Sequence, residues 1–175
     1  MNIEPVYEYD RISKFYGAMD EILGWPEQQL LSSAPDISKW SIAQQIVHIC
    51  MSNSGMWRSI GRILSEKEPA VASATTLDVA VEFLEKGEFP RNSIHAPSVV
   101  QPEPDTGFDE IQKWSRVSRM AFQRMADIAP ALPERSYYLP HPILGHADAR
   151  TWLRMIRIHA EHHLAIIRDI DEAAA

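Results

Sequence analysis

The spacing of the prolines is the feature that most restricts how this chain can fold. A proline inside an α-helix removes a backbone hydrogen bond and collides with the preceding turn, so the twelve prolines mark where helices cannot continue. Long proline-free stretches follow Pro5, Pro35, Pro104 and Pro142. Each stretch carries apolar residues at the spacing of an amphipathic helix. The pattern therefore predicts an all-α fold built on four helices.

Local signals indicate where these helices begin. Ser41 and Gln44 have the spacing of a capping box, in which each side chain satisfies a backbone donor of the first helical turn. Asp105 or Thr106 is the predicted cap of the third helix, and the fourth is predicted to start at about Ala147. The apolar side of the third helix is expected to comprise Phe108, Ile111, Trp114, Met125 and Ile128.

The connection between the second and third helices is unusually long. Residues 68–104 contain five of the twelve prolines and one short candidate helix, from Leu77 to Lys86. A link of this length allows helices two and three to run parallel while the link crosses the end of the helices. No strand-like alternation is visible. We therefore predict a four-helix bundle without a sheet, with a long crossover between helices two and three, in a single domain over residues 1–175.

Composition limits the classes of function. The formal net charge is -7, and the 17 lysines and arginines are scattered. Nucleic-acid binding depends on clustered basic side chains, so a small-molecule partner is the better prediction. No apolar run approaches the roughly 20 residues of a membrane span, and the N-terminus does not resemble a signal peptide. Because the single cysteine, Cys50, requires no oxidising compartment, we expect a cytoplasmic protein that binds neither nucleic acid nor membrane.

The strongest chemical signal is the sequence HAEHH at residues 159–163. His159 and His163 are four positions apart, so they project from one helix face, and that face also carries Ile156 and Ile170. Two buried imidazoles need partners, and a divalent metal ion is one candidate. Spacing alone leaves a second interpretation open, in which two hydrogen-bonded histidines share a face by chance. His48, in the second helix, is the candidate for a third metal ligand.

Four other residues lie near the proposed ligands in sequence. His162 is rotated about 100 degrees around the helix from His163, so we expect it beside the ligands or, preferably, on the surface. Gln45 and Ser52 lie one turn either side of His48 and are candidates for contacts with the ligands or substrate or, preferably, for ordinary polar packing. Cys50 points away from His48 and is expected to be a small core residue.

Three histidines fall outside the predicted helices. His141 is expected to position the entry to the fourth helix from a turn, and His146 is the candidate cap of that helix. His95 lies in the crossover, where we expect it to be solvated.

Several stretches together resemble one known family. They are WSIAQQIVHI at residues 40–49, FPRNSIHAP at 89–97, HPILG at 141–145 and WLRMIRIHAEHHLAII at 152–167. In this order they resemble the DinB-like superfamily of bacterial four-helix-bundle metalloproteins, and the resemblance covers essentially the whole chain.

The resemblance implies a ligand set and a range of functions. By motif position, His48, His159 and His163 would bind one zinc or nickel ion. Three neutral imidazoles leave a coordination position open, as catalytic sites do. Family members include S-transferases that use a low-molecular-weight thiol, such as bacillithiol or mycothiol, and a maleylpyruvate isomerase. The resemblance therefore favours a metal-dependent enzyme acting on small molecules, in a homodimer. The alternative is a non-catalytic metal-binding or stress-response protein, and no catalytic or cofactor-binding residue is identified.

Overall fold

The computed structural model describes residues 2–65, 75–91, 94–134 and 137–174, and helix dominates these residues, as predicted for an all-α protein. The helices are α1 (Pro5–Ile22), α2 (Glu27–Leu30), α3 (Ile42–Ser65), α4 (Asp78–Lys86), α5 (Phe108–Arg124) and α6 (Ala149–Ala174). Single turns of 3-10 helix occupy Ser98–Val100 and Ala129–Ala131. Of the predicted crossover, residues 68–74, 92 and 93 lie outside the described residues.

The prediction that the chain has no sheet is wrong. Three short strands, β1 (Thr75–Thr76), β2 (Leu139–His141) and β3 (Gly145–Ala147), form an antiparallel sheet in the order β1-β3-β2. Strands of two or three residues are too short to produce a readable alternation of apolar and polar residues. The sheet joins Thr75 and Thr76 to the segment just before α6. Helix α6 carries the histidine pair.

Gly145 makes this close pairing possible. Its φ of 78° lies in the left-handed region, where residues with a Cβ are strained. A Cβ at this position would also lie 1.9 Å from the carbonyl oxygen of Thr75 on the neighbouring strand. A side chain here would therefore push β1 away from β3.

Helix α3 is the central element of the packing. It contacts both α5 and α6, while α1 packs against α6. The facing sides of these helices are buried and mostly apolar, and their fully buried isoleucines include Ile12, Ile46, Ile60, Ile111 and Ile156. Burying an isoleucine side chain stabilises a fold by about 1.5–3 kcal/mol, so this shared core fixes how α3 and α6 face each other.

The helix starts agree only in part with the sequence signals. The capping box is confirmed, because the Ser41 backbone N donates to Gln44 Oε1 at 3.0 Å and the Gln44 backbone N donates to Ser41 Oγ at 3.2 Å. The predicted cap of the third helix is wrong. Helix α5 begins after Gly107, and the Thr106 hydroxyl instead donates to the Glu103 carbonyl oxygen at 2.6 Å. Short polar side chains often satisfy local turns in this way.

The end of α5 and the cap of α6 also differ from expectation. Helix α5 ends at Arg124, so Met125 and Ile128 lie beyond it, and Ile128 is exposed. Helix α6 is capped by Asp148, whose Oδ1 accepts the Thr151 backbone N–H at 2.8 Å. The predicted short helix in the crossover is confirmed as α4, which begins one residue after the predicted start.

A buried ionic cluster joins α1 to α6. Glu8 is fully buried and accepts hydrogen bonds from Arg154 at 2.7 Å and from Arg157. The same arginines donate to the carbonyl oxygens of Leu84 and Gly87 at the end of α4. The cluster therefore holds α1, α4 and α6 together two residues from His159.

Across the described ranges, no helix combines the length and apolar character needed to cross a bilayer.

Candidate metal centre

Helices α3 and α6 bring three histidines together inside the protein. His48 comes from α3, and His159 and His163 come from successive turns of α6. All three are buried, and one potential ligand nitrogen of each lies within 4.8 Å of the other two. The closest pair is Nε2 of His48 and Nε2 of His159, 3.1 Å apart. The structure thus assembles the predicted residues; that they bind a metal stays a prediction.

A carbonyl of the crossover fixes the tautomer of His48. Its Nδ1 lies 2.7 Å from the carbonyl oxygen of Val100, which can only accept a hydrogen bond. Nδ1 must therefore carry the proton, and Nε2 of the neutral ring presents a lone pair towards His159. Metal-binding histidines are commonly oriented by such a bond from the other ring nitrogen.

A side-chain amide does the same for His163. Gln45 Nε2 donates to Ser38 Oγ at 2.9 Å, which assigns the other amide atom, Oε1, as the acceptor. This Oε1 lies 2.6 Å from His163 Nδ1, so Nδ1 carries the proton and Nε2 is free to act as a ligand. Gln45 therefore takes the first of its two predicted roles, contact with a proposed ligand.

The surroundings keep the three rings neutral. Burial is the main cause that lowers the pKa of His48, and burial with the neighbouring rings holds the pKa of His159 and His163 well below the ordinary value. Neutral imidazole is the form that binds metals. A protonated histidine has no lone pair for a metal, so surroundings that keep the rings neutral favour metal binding.

The nitrogen positions also fit a small divalent ion. Two imidazole nitrogens about 2.05 Å from a tetrahedral ion lie roughly 3.3 Å apart, close to the observed 3.1 Å between His48 and His159. In addition, His159 Nδ1 is buried and has no hydrogen-bond partner among the described residues. A neutral ring that binds a metal through Nε2 carries its proton on Nδ1, so His159 would present one buried N–H group that has no acceptor among the described residues.

The triad lies in the wall of a cavity of about 310 Å³. Trp40 packs against His48 with ring centroids 4.8 Å apart, and Phe89 from the crossover packs against His159 at 5.6 Å. The volume is at the lower end of the range for ligand pockets, which is about 300–1,000 Å³. A small molecule could therefore reach the three histidines.

Three further histidines line this cavity, and two of them, His162 and His141, do so contrary to expectation. His162 is half-buried rather than on the surface, packs on Phe89 at 5.2 Å and bonds to its backbone. Burial, followed by the nearby Arg91 charge, lowers the pKa of His162 to about 4. His141 belongs to strand β2 and not to a turn, and its side chain forms part of the cavity wall.

The remaining histidines have other surroundings. His146 does not cap α6, because it lies in β3 and its Nδ1 is 2.7 Å from Thr75 Oγ1. His95 is exposed, as expected for a solvated residue, and is the third further histidine in the cavity lining.

Cys50 is a core residue, as expected. Its thiol is buried and donates to Ser115 Oγ of α5 at 3.9 Å, away from the histidines. Burial raises the pKa of this thiol to about 11. It is therefore protonated at neutral pH and is not a nucleophile.

Three parts of the site were not identified from the sequence: Trp40, Phe89 and the carbonyl of Val100. The two aromatic residues lie within stretches that carry the family resemblance, so that likeness was an available signal. A backbone carbonyl has no sequence signature, and no pattern identifies which residue of a 37-residue predicted crossover, 68–104, would reach His48.

The arrangement defines a mostly helical protein with an internal three-histidine candidate metal centre open to a cavity. The family model of the DinB superfamily matches residues 13–167, and the chain belongs to that superfamily. No curated protein and no solved structure was found to match the chain.

Proposed function

We propose that this protein is a metal-dependent enzyme that acts on small molecules. His48, His159 and His163 would hold one divalent ion, zinc or nickel, since imidazole is a good ligand for both. The observation that carries the proposal is the convergence of three buried, neutral histidines on the wall of a cavity large enough for a small ligand. A purely structural metal would not need such a cavity.

The chain's own residues prepare the centre. The Val100 carbonyl and Gln45 hold the protons of His48 and His163 on Nδ1, which leaves Nε2 of both rings as a metal ligand. Phe89 and Trp40 cover the histidines with apolar surface and restrict water. A bound ion would supply Lewis acidity, which favours the thiolate form of a thiol at neutral pH.

Thiol S-transfer is the reaction we propose for this centre. The sulfur of a low-molecular-weight thiol forms a bond to an electrophilic carbon, the leaving group departs with its electron pair, and the thiol proton passes to solvent. The thiol must come from outside the chain, because Cys50 is buried, protonated and directed towards α5. The cavity has room for the acceptor molecule beside the histidines.

Metal content tests the site. We expect one zinc or nickel ion per chain in the wild type, its loss in His159→Ala and His163→Ala, and strongly weakened binding in His48→Ala, because each change removes one of three ligands. His146→Ala, a histidine outside the site, is the matched control and should retain the ion. One ion per chain in a variant with His48, His159 and His163 all replaced by alanine would contradict the assignment.

A separate screen tests the reaction. Several cellular thiols are combined with electrophiles such as 1-chloro-2,4-dinitrobenzene, and thiol consumption is followed for the wild type and His159→Ala. We expect consumption that requires both the ion and His159. Stoichiometric metal binding without thiol consumption would instead support the alternative of a non-catalytic metal-binding or stress-response protein.

The proposal includes a finer description of the molecule. The four long helices α1, α3, α5 and α6 would form a four-helix bundle with residues 68–104 as the crossover, in a single domain over residues 1–175. We further propose a homodimer, as the family resemblance implies, and a cytoplasmic location, as the composition indicates. Light scattering coupled to size-exclusion chromatography tests the dimer, and a monomer mass would contradict it.

A further inference from the structure

The wall of the cavity beside the triad carries no charged side chain. It is formed by aromatic, aliphatic, proline and serine side chains and by histidines, and none of the lining residues in the described part of the chain is Asp, Glu, Lys or Arg. Moving an unpaired charge from water into such surroundings is costly. The wall therefore favours a ligand whose body is uncharged and mainly apolar.

His141 provides one directional polar group in this wall. Its Nδ1 accepts the backbone N–H groups of Ile143 and Leu144, at 3.0 and 3.2 Å. Because Nδ1 uses its lone pair in this way, the proton of the neutral ring must be on Nε2. The turn between β2 and β3 thus fixes His141 as a hydrogen-bond donor.

The Nε2–H of His141 is available to a ligand. It makes no hydrogen bond within the described residues. It is also not one of the polar atoms that are fully buried without a partner, so it remains accessible. The ring packs edge-on against Trp152 with centroids 4.7 Å apart, which holds its orientation. His141 and the three histidines of the triad line the same cavity.

We propose that the cavity binds an uncharged, mainly apolar small molecule through a hydrogen-bond acceptor, such as a carbonyl oxygen, that receives the Nε2 hydrogen of His141. This inference rests on the proposed function, because the other end of the ligand would meet the metal. His141 is thus a specificity-determining residue.

Three aromatic thiols of similar shape test the proposal on cobalt-loaded protein. They are 4-mercaptobenzamide, which is neutral and has an acceptor; 4-methylbenzenethiol, which has none; and 4-mercaptobenzoate, which is anionic. Sulfur-to-cobalt charge-transfer absorption reports binding. We expect the amide to bind at least about tenfold more tightly than the benzoate, because the ion meets the sulfur of both thiols and no described lining side chain is a lysine or arginine that could pair with the carboxylate at the other end. Equal or tighter binding of the benzoate would overturn the proposal.

His141→Asn isolates the donor. The Asn Oδ1 can still accept the two backbone N–H groups of the turn, but the Nε2 hydrogen is lost. We expect amide binding to weaken about threefold to tenfold, the equivalent of one hydrogen bond, and 4-methylbenzenethiol binding to stay within about twofold. His141→Gln, which places a donor at the ε position, should recover part of the amide binding. Equal weakening of both thiols in His141→Asn would refute the role of the donor.

Cobalt content separates the possible failures. Wild type and His141→Asn should each bind one cobalt per chain. Wild type without cobalt would refute the proposed function and this inference with it. Full cobalt content and thiol binding without preference would refute only this inference. Loss of cobalt from His141→Asn alone would show that His141 maintains the metal centre, which also overturns its assignment as a ligand donor.

Discussion

Replacing Glu8 by glutamine tests the buried ionic cluster that sets the position of α6. The Glu8 side chain is 1% exposed and lies between Arg154 and Arg157, whose side chains are 13% and 6% exposed. Glutamine has nearly the same shape but no charge. The change therefore leaves two guanidinium groups without their shared carboxylate and creates no cavity.

The magnitude follows from this burial. Breaking a buried ion pair by removing one partner costs about 3–5 kcal/mol. The lower part of that range applies, because Arg157 keeps its 2.7 Å ion pair with Glu161 and its bond to the Gly87 carbonyl. For a chain of this size, each kcal/mol lowers Tm by about 2–4 °C, so about 3 kcal/mol corresponds to a decrease of about 6–12 °C.

Thermal unfolding followed by circular dichroism measures the effect, and urea unfolding gives the free energy. Glu82→Gln is the matched control, because it removes an ion pair with Lys86 that is fully exposed on α4, and its Tm should equal that of the wild type. Metal content of Glu8→Gln well below its Tm should remain at one ion per chain. If Glu8→Gln and Glu82→Gln melt at the same temperature, the cluster does not hold α6 and the reasoning fails.

The remaining predictions concern three other positions. Cys50 should resist labelling by 5,5′-dithiobis(2-nitrobenzoate) at pH 8 until the protein is unfolded, because a thiol with a pKa of about 11 is only about 0.1% ionised there, and rapid labelling of the native protein would contradict its burial. Gly145→Ala should lower Tm markedly, since its Cβ would lie 1.9 Å from the Thr75 carbonyl oxygen, whereas Gly17→Ala, with open space around its Cβ, should not; equal Tm values would contradict the strand pairing. Burial lowers the pKa of His141 to about 4, so between pH 6.5 and 4 the unfolded chain binds a proton there that the folded chain does not, and the metal-free protein should lose stability as pH falls through this window. The free energy of urea unfolding should change less between pH 7 and pH 5 in His141→Asn than in the wild type, and an equal change in both proteins would refute this contribution.

The long helices were predictable because their signals are repeated many times along the chain. Apolar residues at helical spacing recur throughout α3 and α6, and the capping box at Ser41 adds a local signal at the start of α3. The strands had no such redundancy, because each offers two or three residues and depends on partners far away in sequence, such as Thr75 opposite His146. Tertiary pairing, and not local preference, decides their existence.

The candidate site was predictable to different depths. The spacing of His159 and His163 on an apolar face identified the pair. His48 was the candidate third ligand from its place in the second helix, and the family resemblance supported all three by motif position. The hydrogen-bond partners that set the tautomers of these rings could not be identified from the sequence. Gln45 had two open interpretations, and only the structure shows its amide oxygen 2.6 Å from His163.

The crossover contributes more to the candidate centre than a connection between helices would. Its Val100 carbonyl determines which nitrogen of His48 carries a lone pair, and its Phe89 covers His159 and bonds to His162 through its backbone. The same segment also forms much of the cavity wall. Because one segment fixes both the tautomer of a proposed ligand and the shape of the adjacent cavity, substitutions that move it should change metal affinity and ligand selectivity together. Helices α3 and α6 supply the proposed ligand atoms, and the segment between α3 and α5 would determine how a small molecule meets them.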